Sequence, residues 1–222
     1  VPGGTAIAST APNALVFADG FHAPRSWRTS LGLQRTVTSL IRFSLDASYA
    51  RGVSQTGFTD LNLNDTPAFA LSNEGGRPVF VDPGQIDPTT GAIGFTASRI
   101  DPAFGQVIQA GSNLASTSKQ LTASLGGITR KGVIFQLSYT LSRARDQLSS
   151  SGFGTQGFGA ATTAGNPNVA EWAKSDLERR HSLLTTVTYP IGRSLEITGI
   201  GRLTSGTPFT PRVGSDINGD GL

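Results

Sequence analysis

The sequence contains no cysteine and no methionine, and only two histidines and two tryptophans among its 222 residues. Without cysteine there is no disulfide framework and no thiolate metal site. The missing methionine leads us to expect a piece of a longer polypeptide, because a complete translation product normally begins with one. On that expectation, the lack of a signal peptide carries no information about export. Charge is also scarce: Asp, Glu, Lys and Arg make up 15% of the chain, against about 25% in an ordinary soluble domain. Apolar residues are few as well, at 37%, and no ~18 of them run together, which excludes a transmembrane helix. The net charge of +3 is mostly arginine and gathers into no run. A nucleic-acid partner is therefore not expected, since such binders carry a basic patch or a recognisable module.

The balance is made up by Gly, Ser and Thr, with 28 glycines in all. That mixture suits strands with one apolar face and one small, uncharged polar face. Period-2 alternation bears this out. From Ile41 the odd positions read Ile41, Phe43, Leu45, Ala47 and Tyr49, interleaved with Arg42, Ser44, Asp46 and Ser48. From Val133 they read Val133, Phe135, Leu137, Tyr139 and Leu141, against Ile134, Gln136, Ser138, Thr140 and Ser142. Shorter runs occur at Leu121, Ala123, Leu125 and at Leu183, Thr185, Val187, Tyr189, with weaker ones from Trp27 and from Leu195. Successive side chains of a strand point to opposite faces, so each run is two-faced. The best helical stretch, Ala170 to Glu178, is short and mostly polar. The chain reads as all-β.

Connections between these runs alternate in length. Gln34 to Ser39, Thr129 to Gly132 and Pro190 to Ser194 are short, whereas 54–118 and 146–174 are long, and 1–23 reads as a loop. Short connections join antiparallel neighbours as hairpins. Membrane-spanning β-barrels alternate short turns on the periplasmic side with long loops outside, and carry aromatic girdles at both interfaces. Trp27, Tyr49 and Tyr189 fall near strand ends. The long runs also meet the ~9–11 residues a tilted membrane strand needs. The expected fold is an antiparallel transmembrane β-barrel segment. A secreted β-sandwich also alternates, but would require a thicker core than these Gly- and Thr-diluted faces offer.

Chemistry has few places to reside. Gly152-Phe153-Gly154-Thr155-Gln156-Gly157 spells a dinucleotide fingerprint, but the Gly-, Ala- and Thr-rich stretch after it shows no amphipathic helix to receive a pyrophosphate. No cofactor is expected. Asp216-Ile217-Asn218-Gly219-Asp220-Gly221 matches the first half of a calcium loop. Half a motif is common by chance, and a turn built from Asp, Asn and Gly is the favoured reading. His181 follows Arg179 and Arg180 at a strand start, a basic strand end that suits anionic head groups at a membrane rim. No G-x-S-x-G nucleophile elbow accompanies His22 or His181, so neither catalytic residues nor an enzyme activity is expected. Arg42 and Asp46 share the polar face of one strand, and read as part of a charge network inside a barrel.

Several stretches resemble one family. Ser138-Tyr139-Thr140-Leu141-Ser142-Arg143-Ala144-Arg145-Asp146 is similar to a strand end of TonB-dependent outer-membrane receptors, in particular the Oar-like group, whose N-termini carry a carboxypeptidase-regulatory-like domain. Asp176-Leu177-Glu178-Arg179-Arg180-His181 resembles that group's strand start. Ser205-Gly206-Thr207-Pro208-Phe209-Thr210, followed by Asp216 to Gly221, resembles its following strand and loop. Leu33-Gln34-Arg35 and Asp60-Leu61-Asn62 also look like its short turn and outer strand. Leu141 departs from the tryptophan common in the family.

The resemblance covers the chain from about Phe21 onward. It implies part of the wall of a ~22-stranded barrel in the bacterial outer membrane. Such a barrel takes up a scarce nutrient (a small molecule, oligosaccharide or peptide) with energy from TonB. Its implied partners are outer-membrane lipid, the imported molecule, and TonB through an N-terminal region that this chain does not show. Recognition would fall to the long loops 54–118 and 146–174. No single ligand-binding residue can be named, and no metal ligand is expected. A passive porin-like or adhesive outer-membrane barrel and a secreted carbohydrate-binding sandwich are the alternatives. A fragment of six or more strands cannot close such a barrel by itself, so with its edges unpaired it is expected to aggregate or stay poorly folded in water.

Overall fold

A computed structural model describes residues 11–94, 96–147, 163–211 and 214–221. Ten strands appear among these residues, in chain order: β1 (Ala14–Phe17), β2 (Arg25–Thr38), β3 (Ile41–Asp60), β4 (Phe69–Leu71), β5 (Arg77–Val79), β6 (Val107–Ile128), β7 (Ile134–Asp146), β8 (Ala173–Lys174), β9 (His181–Ile191) and β10 (Leu195–Thr204). The only helical elements among the described residues are two single 3-10 turns, Ser72–Glu74 and Pro83–Gln85. The stretch from Ala170 to Glu178 contains β8 and no helix. The chain is all-β.

The six long strands lie side by side in the order β2-β3-β6-β7-β9-β10, every pair antiparallel. This is an up-and-down meander: each long strand pairs with the next long strand of the chain. It stays open, with β2 and β10 each having one partner among the described residues. The short connections sit at one end. Ser39 and Leu40 join β2 to β3, residues 129–133 join β6 to β7, and residues 192–194 join β9 to β10. In the middle turn Gly132 adopts φ 81° and its amide donates to Thr129 O at 2.9 Å. A side chain there would strain the left-handed backbone.

Register aligns the alternation across the sheet. Leu33, Leu45, Ala123, Tyr139, Leu183 and Leu203 stand on one rung of the apolar face. The other face carries rungs such as Gly32, Asp46, Thr122, Thr140, Ser182 and Thr204. Its hydroxyls pair across strands: Thr122 with Thr140 and Ser124 with Ser138 at 3.0 Å, and Thr188 with Thr198 at 2.9 Å. Ile200 and Leu184 are apolar exceptions there, and Arg35 is a charged exception on the apolar face near the short-turn end. Arg42 and Asp46 share the polar face as expected, but no ion pair joins them among the described residues.

The short connections expected from Gln34 to Ser39 and from Pro190 to Ser194 are tighter, because β2 runs to Thr38 and β9 to Ile191, and two further differences are larger. The connection expected over 54–118 is residues 61–106, because β3 runs on to Asp60 and β6 begins at Val107. The reason lies in two offsetting bulges. From Gly52 to Gln55 the chain advances three residues against two on β6, and from Gln55 to Gly57 two against three. Each bulge breaks the period-2 pattern while the ladder continues. The first holds Ser54 at φ 55°. Secondly, the expected loop 1–23 contains β1, which pairs in parallel with β6 from Val107 to Ala110. It takes the β6 edge that β7 leaves free, since the β6–β7 pairing ends at Ser116 with Asp146.

Candidate functional site

The long-connection end of the sheet holds every buried residue among those described. Residues 25–51, 115–147 and 181–211 contain none. The apolar part is small: Phe58, Ile108 and Ala110 form one cluster, with Leu63, Val79, Phe80, Val81 and Leu114 also buried. As many buried residues are polar or charged, among them Asp60, Asn62, Arg99, Asn218 and Asp220. Buried polar groups require partners, and here those partners tie separate connections together.

Asp60, the last residue of β3, is the hub. One carboxylate oxygen accepts from the amides of Asn62 and Val107, both at 3.1 Å, and the other pairs with Arg99. Both side chains of this ion pair are essentially without solvent, at 0% and 1%. Its backbone exchanges two bonds with the side-chain amide of Asn168, at 2.8 and 2.9 Å. Asn62 donates to the carbonyls of Asp101, Phe104 and Gly105 and accepts from the amide of Asp101. One strand end thus fixes the 61–106 connection and the segment around Asn168.

The segment expected to be half a calcium loop, or a turn, sits against this hub. Asp216 accepts through Oδ1 from the amides of Asn218 and Gly219, and through Oδ2 from that of Gly221. Its carboxylate thereby organises its own turn. Asn218 donates to the carbonyls of Thr163 and Gly165 and to the Asp220 carboxylate, and Arg99 donates to Asp220 O at 2.8 Å. Gly219 has φ 75° and a Cβ there would lie 2.9 Å from Val81, so only glycine fits. Among the described residues no group of three or more His, Cys, Asp or Glu is arranged to hold a metal.

Most of the other stretches singled out in the sequence fall at the same end, whereas Leu33-Gln34-Arg35 lies on β2 toward the short turns. Ser142 N donates to Arg180 O, the Ala144 amide to the Glu178 carboxylate, and Ser175 N to Ala144 O. His181 N and Ser205 N each donate across to the other strand, to Ser205 Oγ and His181 O. The three stretches at 138–146, 176–181 and 205–210 are therefore laced together at the long-connection ends of β7, β9 and β10. His181 Nδ1 lies 2.7 Å from Tyr139 OH. His22 is occupied by Gly20 O at 2.7 Å and Ser54 Oγ at 2.9 Å, holding the bulge. Neither imidazole faces a serine and a carboxylate together. The fingerprint at 152–157 lies outside the described residues.

Asp87 organises a turn at the rim of the 61–106 connection. Its carboxylate accepts from the amides of Thr89 and Thr90 at 2.8 and 2.9 Å. The backbone bonds from Thr90 and Thr89 hold its pKa below the ordinary aspartate value, because they favour the charged form.

The family model described as "Outer membrane beta barrel domain" matches residues 1–222. No curated protein and no solved structure matches the chain.

Proposed function

Because this chain belongs to the outer membrane beta barrel domain family, and so to the bacterial outer membrane, we propose that it forms part of the wall and outer recognition surface of a TonB-dependent receptor. In this reading the barrel imports a scarce nutrient and performs no catalysis. The observation that carries it is the buried assembly at the long-connection end. A passive pore needs a water-filled lumen, and long outer loops are common to both kinds of barrel; nothing in passive diffusion calls for separate connections tied to one buried ion pair. Here three separate connections are locked onto Asp60 and Arg99, which favours a preorganised surface for a ligand. Support also comes from the order of the stretches at 138–146, 176–181, 205–210 and 216–221, which follows that of the Oar-like group.

The test uses the full-length parent in its own cells. Uptake of labelled ferric siderophores, oligosaccharides and oligopeptides is compared in strains with and without the gene, each with and without a protonophore. Accumulation of one class that requires both the gene and the proton gradient is the expected result. Uptake of many small solutes that ignores the protonophore would replace the receptor by a passive porin-like barrel. Loss of surface attachment with no change in any uptake would replace it by an adhesive one.

A further inference from the structure

On the apolar face the wall changes character within one rung. Leu31, Ala47, Leu121 and Leu141 stand side by side across β2, β3, β6 and β7. The next rung toward the long connections reads Thr29, Tyr49, Lys119 and Arg143. The rung beyond reads Trp27, Arg51, Thr117 and Arg145. Ala47 is the small member of the aliphatic rung. Around it opens a groove of about 560 Å³, bordered on one side by that rung and on the other by Lys119, Arg143 and Arg180.

The charges are unusual in their placement. Lys119 and Arg143 are direct cross-strand partners, and like charges directly opposite one another destabilise a sheet. No carboxylate pairs with either among the described residues. Arg180 has only buried Glu178 at 4.0 Å. Lys119 Nζ stands 5.9 Å from the centre of the Tyr49 ring, which holds the cation over the groove. An anion between Lys119 and Arg143 would turn the repulsion into two charge-assisted contacts.

What that anion belongs to follows from its surroundings. The apolar face of an outer-membrane barrel meets lipid, and its long loops lie outside, so this rung stands at the outer leaflet's headgroup level. A free phosphate would leave the aliphatic rung unused. We propose that the groove seats an outer-leaflet glycolipid of the phosphorylated, multiply acylated class. A phosphate rests on Lys119 and Arg143, and an acyl chain lies over Ala47 between Leu31 and Leu121. The inference rests on the barrel and is independent of energised uptake.

The full-length parent, purified from outer membranes and delipidated in detergent, is titrated with bis-phosphorylated lipid A, with the same lipid after phosphatase treatment, and with dioleoylphosphatidylglycerol. Bound lipid is read by native mass spectrometry. The bis-phosphorylated lipid is expected to bind tightest. Lys119→Gln combined with Arg143→Gln should weaken it about 25-fold, at roughly fivefold per lost cation. Ala47→Trp fills the groove without touching a charge, and should also expel the lipid. Arg42→Gln, on the opposite face, should leave binding unchanged. Each variant is checked for heat-modifiable migration, and these exposed positions should preserve it. Equal binding of the dephosphorylated lipid, equally tight phosphatidylglycerol, or a double variant that binds like wild type would overturn the assignment.

Discussion

Along β3, Ile41 to Arg51 and Gly52 to Asp60 belong to one continuous strand, yet the two halves are held by different physics. The first half has no buried residue and shows its side chains to two solvents, with Leu31 and Trp27 on the neighbouring strand 76% and 74% exposed. Its order comes from the hydrogen-bond ladder and, in a membrane, from lipid against the apolar face. The second half ends in a knot where an ion pair, three side-chain amides and the left-handed Gly219 and Gly221 stand beside a small apolar cluster. The bulges at Gly52 to Gly57 mark the boundary. The comparison teaches that a wall strand can change its stabilising medium midway without losing its pairing. The outer half can then be specific while the inner half remains generic.

The largest expected effect tests whether the halves are separable. Arg99→Ala leaves the Asp60 carboxylate buried with only neutral donors, which typically costs about 3–5 kcal/mol. Amide exchange at residues 60–64 and 98–107 should accelerate accordingly, while amides of β6 below Ser116 and of β7 keep their protection. Uniform acceleration through the whole of β6 would mean that wall and knot unfold as one unit, and would break the comparison.

A smaller effect sharpens the difference between the two faces of the wall. Leu45→Arg places a charge on the lipid-facing rung, where about 2–4 kcal/mol is lost near the bilayer midplane. Ser44→Arg, its neighbour on the hydroxyl-lined face, should cost far less. Unfolding of the full-length parent in lipid vesicles, followed by denaturant titration, should separate the two substitutions. Equal stability losses would contradict the assignment of faces.

What was legible in the sequence divides along the same boundary. Residues 41–49 and 135–141 face one solvent on each side, so their side chains alternate without interruption and reveal strand, face and neighbour. Above Gly52 the two bulges reset the alternation, and burial on irregular surroundings mixes Phe58 with Asp60 and Ile108 with Gln109. The strand continues while its signature stops. The knot was hidden for another reason. Asp60, Arg99, Asn168 and Asn218 are brought together from four distant segments, and nothing local in any of them announces the pairing. Only the Asp216 to Gly221 stretch carried a local signal, and it fitted a turn better than a calcium half-loop. The contacts made by Asp216 display the turn.

The smallest expected effect lies at the rim, where an exposed carboxylate, that of Asp87, organises one turn of the 61–106 connection. Asp87 has its pKa lowered in the folded protein by the Thr90 and Thr89 amides. A carboxyl with a depressed folded pKa stabilises the fold above its unfolded value and loses that contribution as pH falls through the folded one. The turn should therefore be fully ordered at neutral pH and loosen only as pH drops below the ordinary aspartate value of 3.8. Amide shifts and exchange rates of Thr89 and Thr90 should titrate in that acid window, while those of Asn62, deep in the knot, stay unchanged. Asp87→Asn should abolish the titration and leave the Ile86 to Ile93 bridge weakened at every pH. If Asn62 moved together with Thr89, the rim would be coupled to the knot, and the outer assembly would be one cooperative unit from Asp60 to its edge.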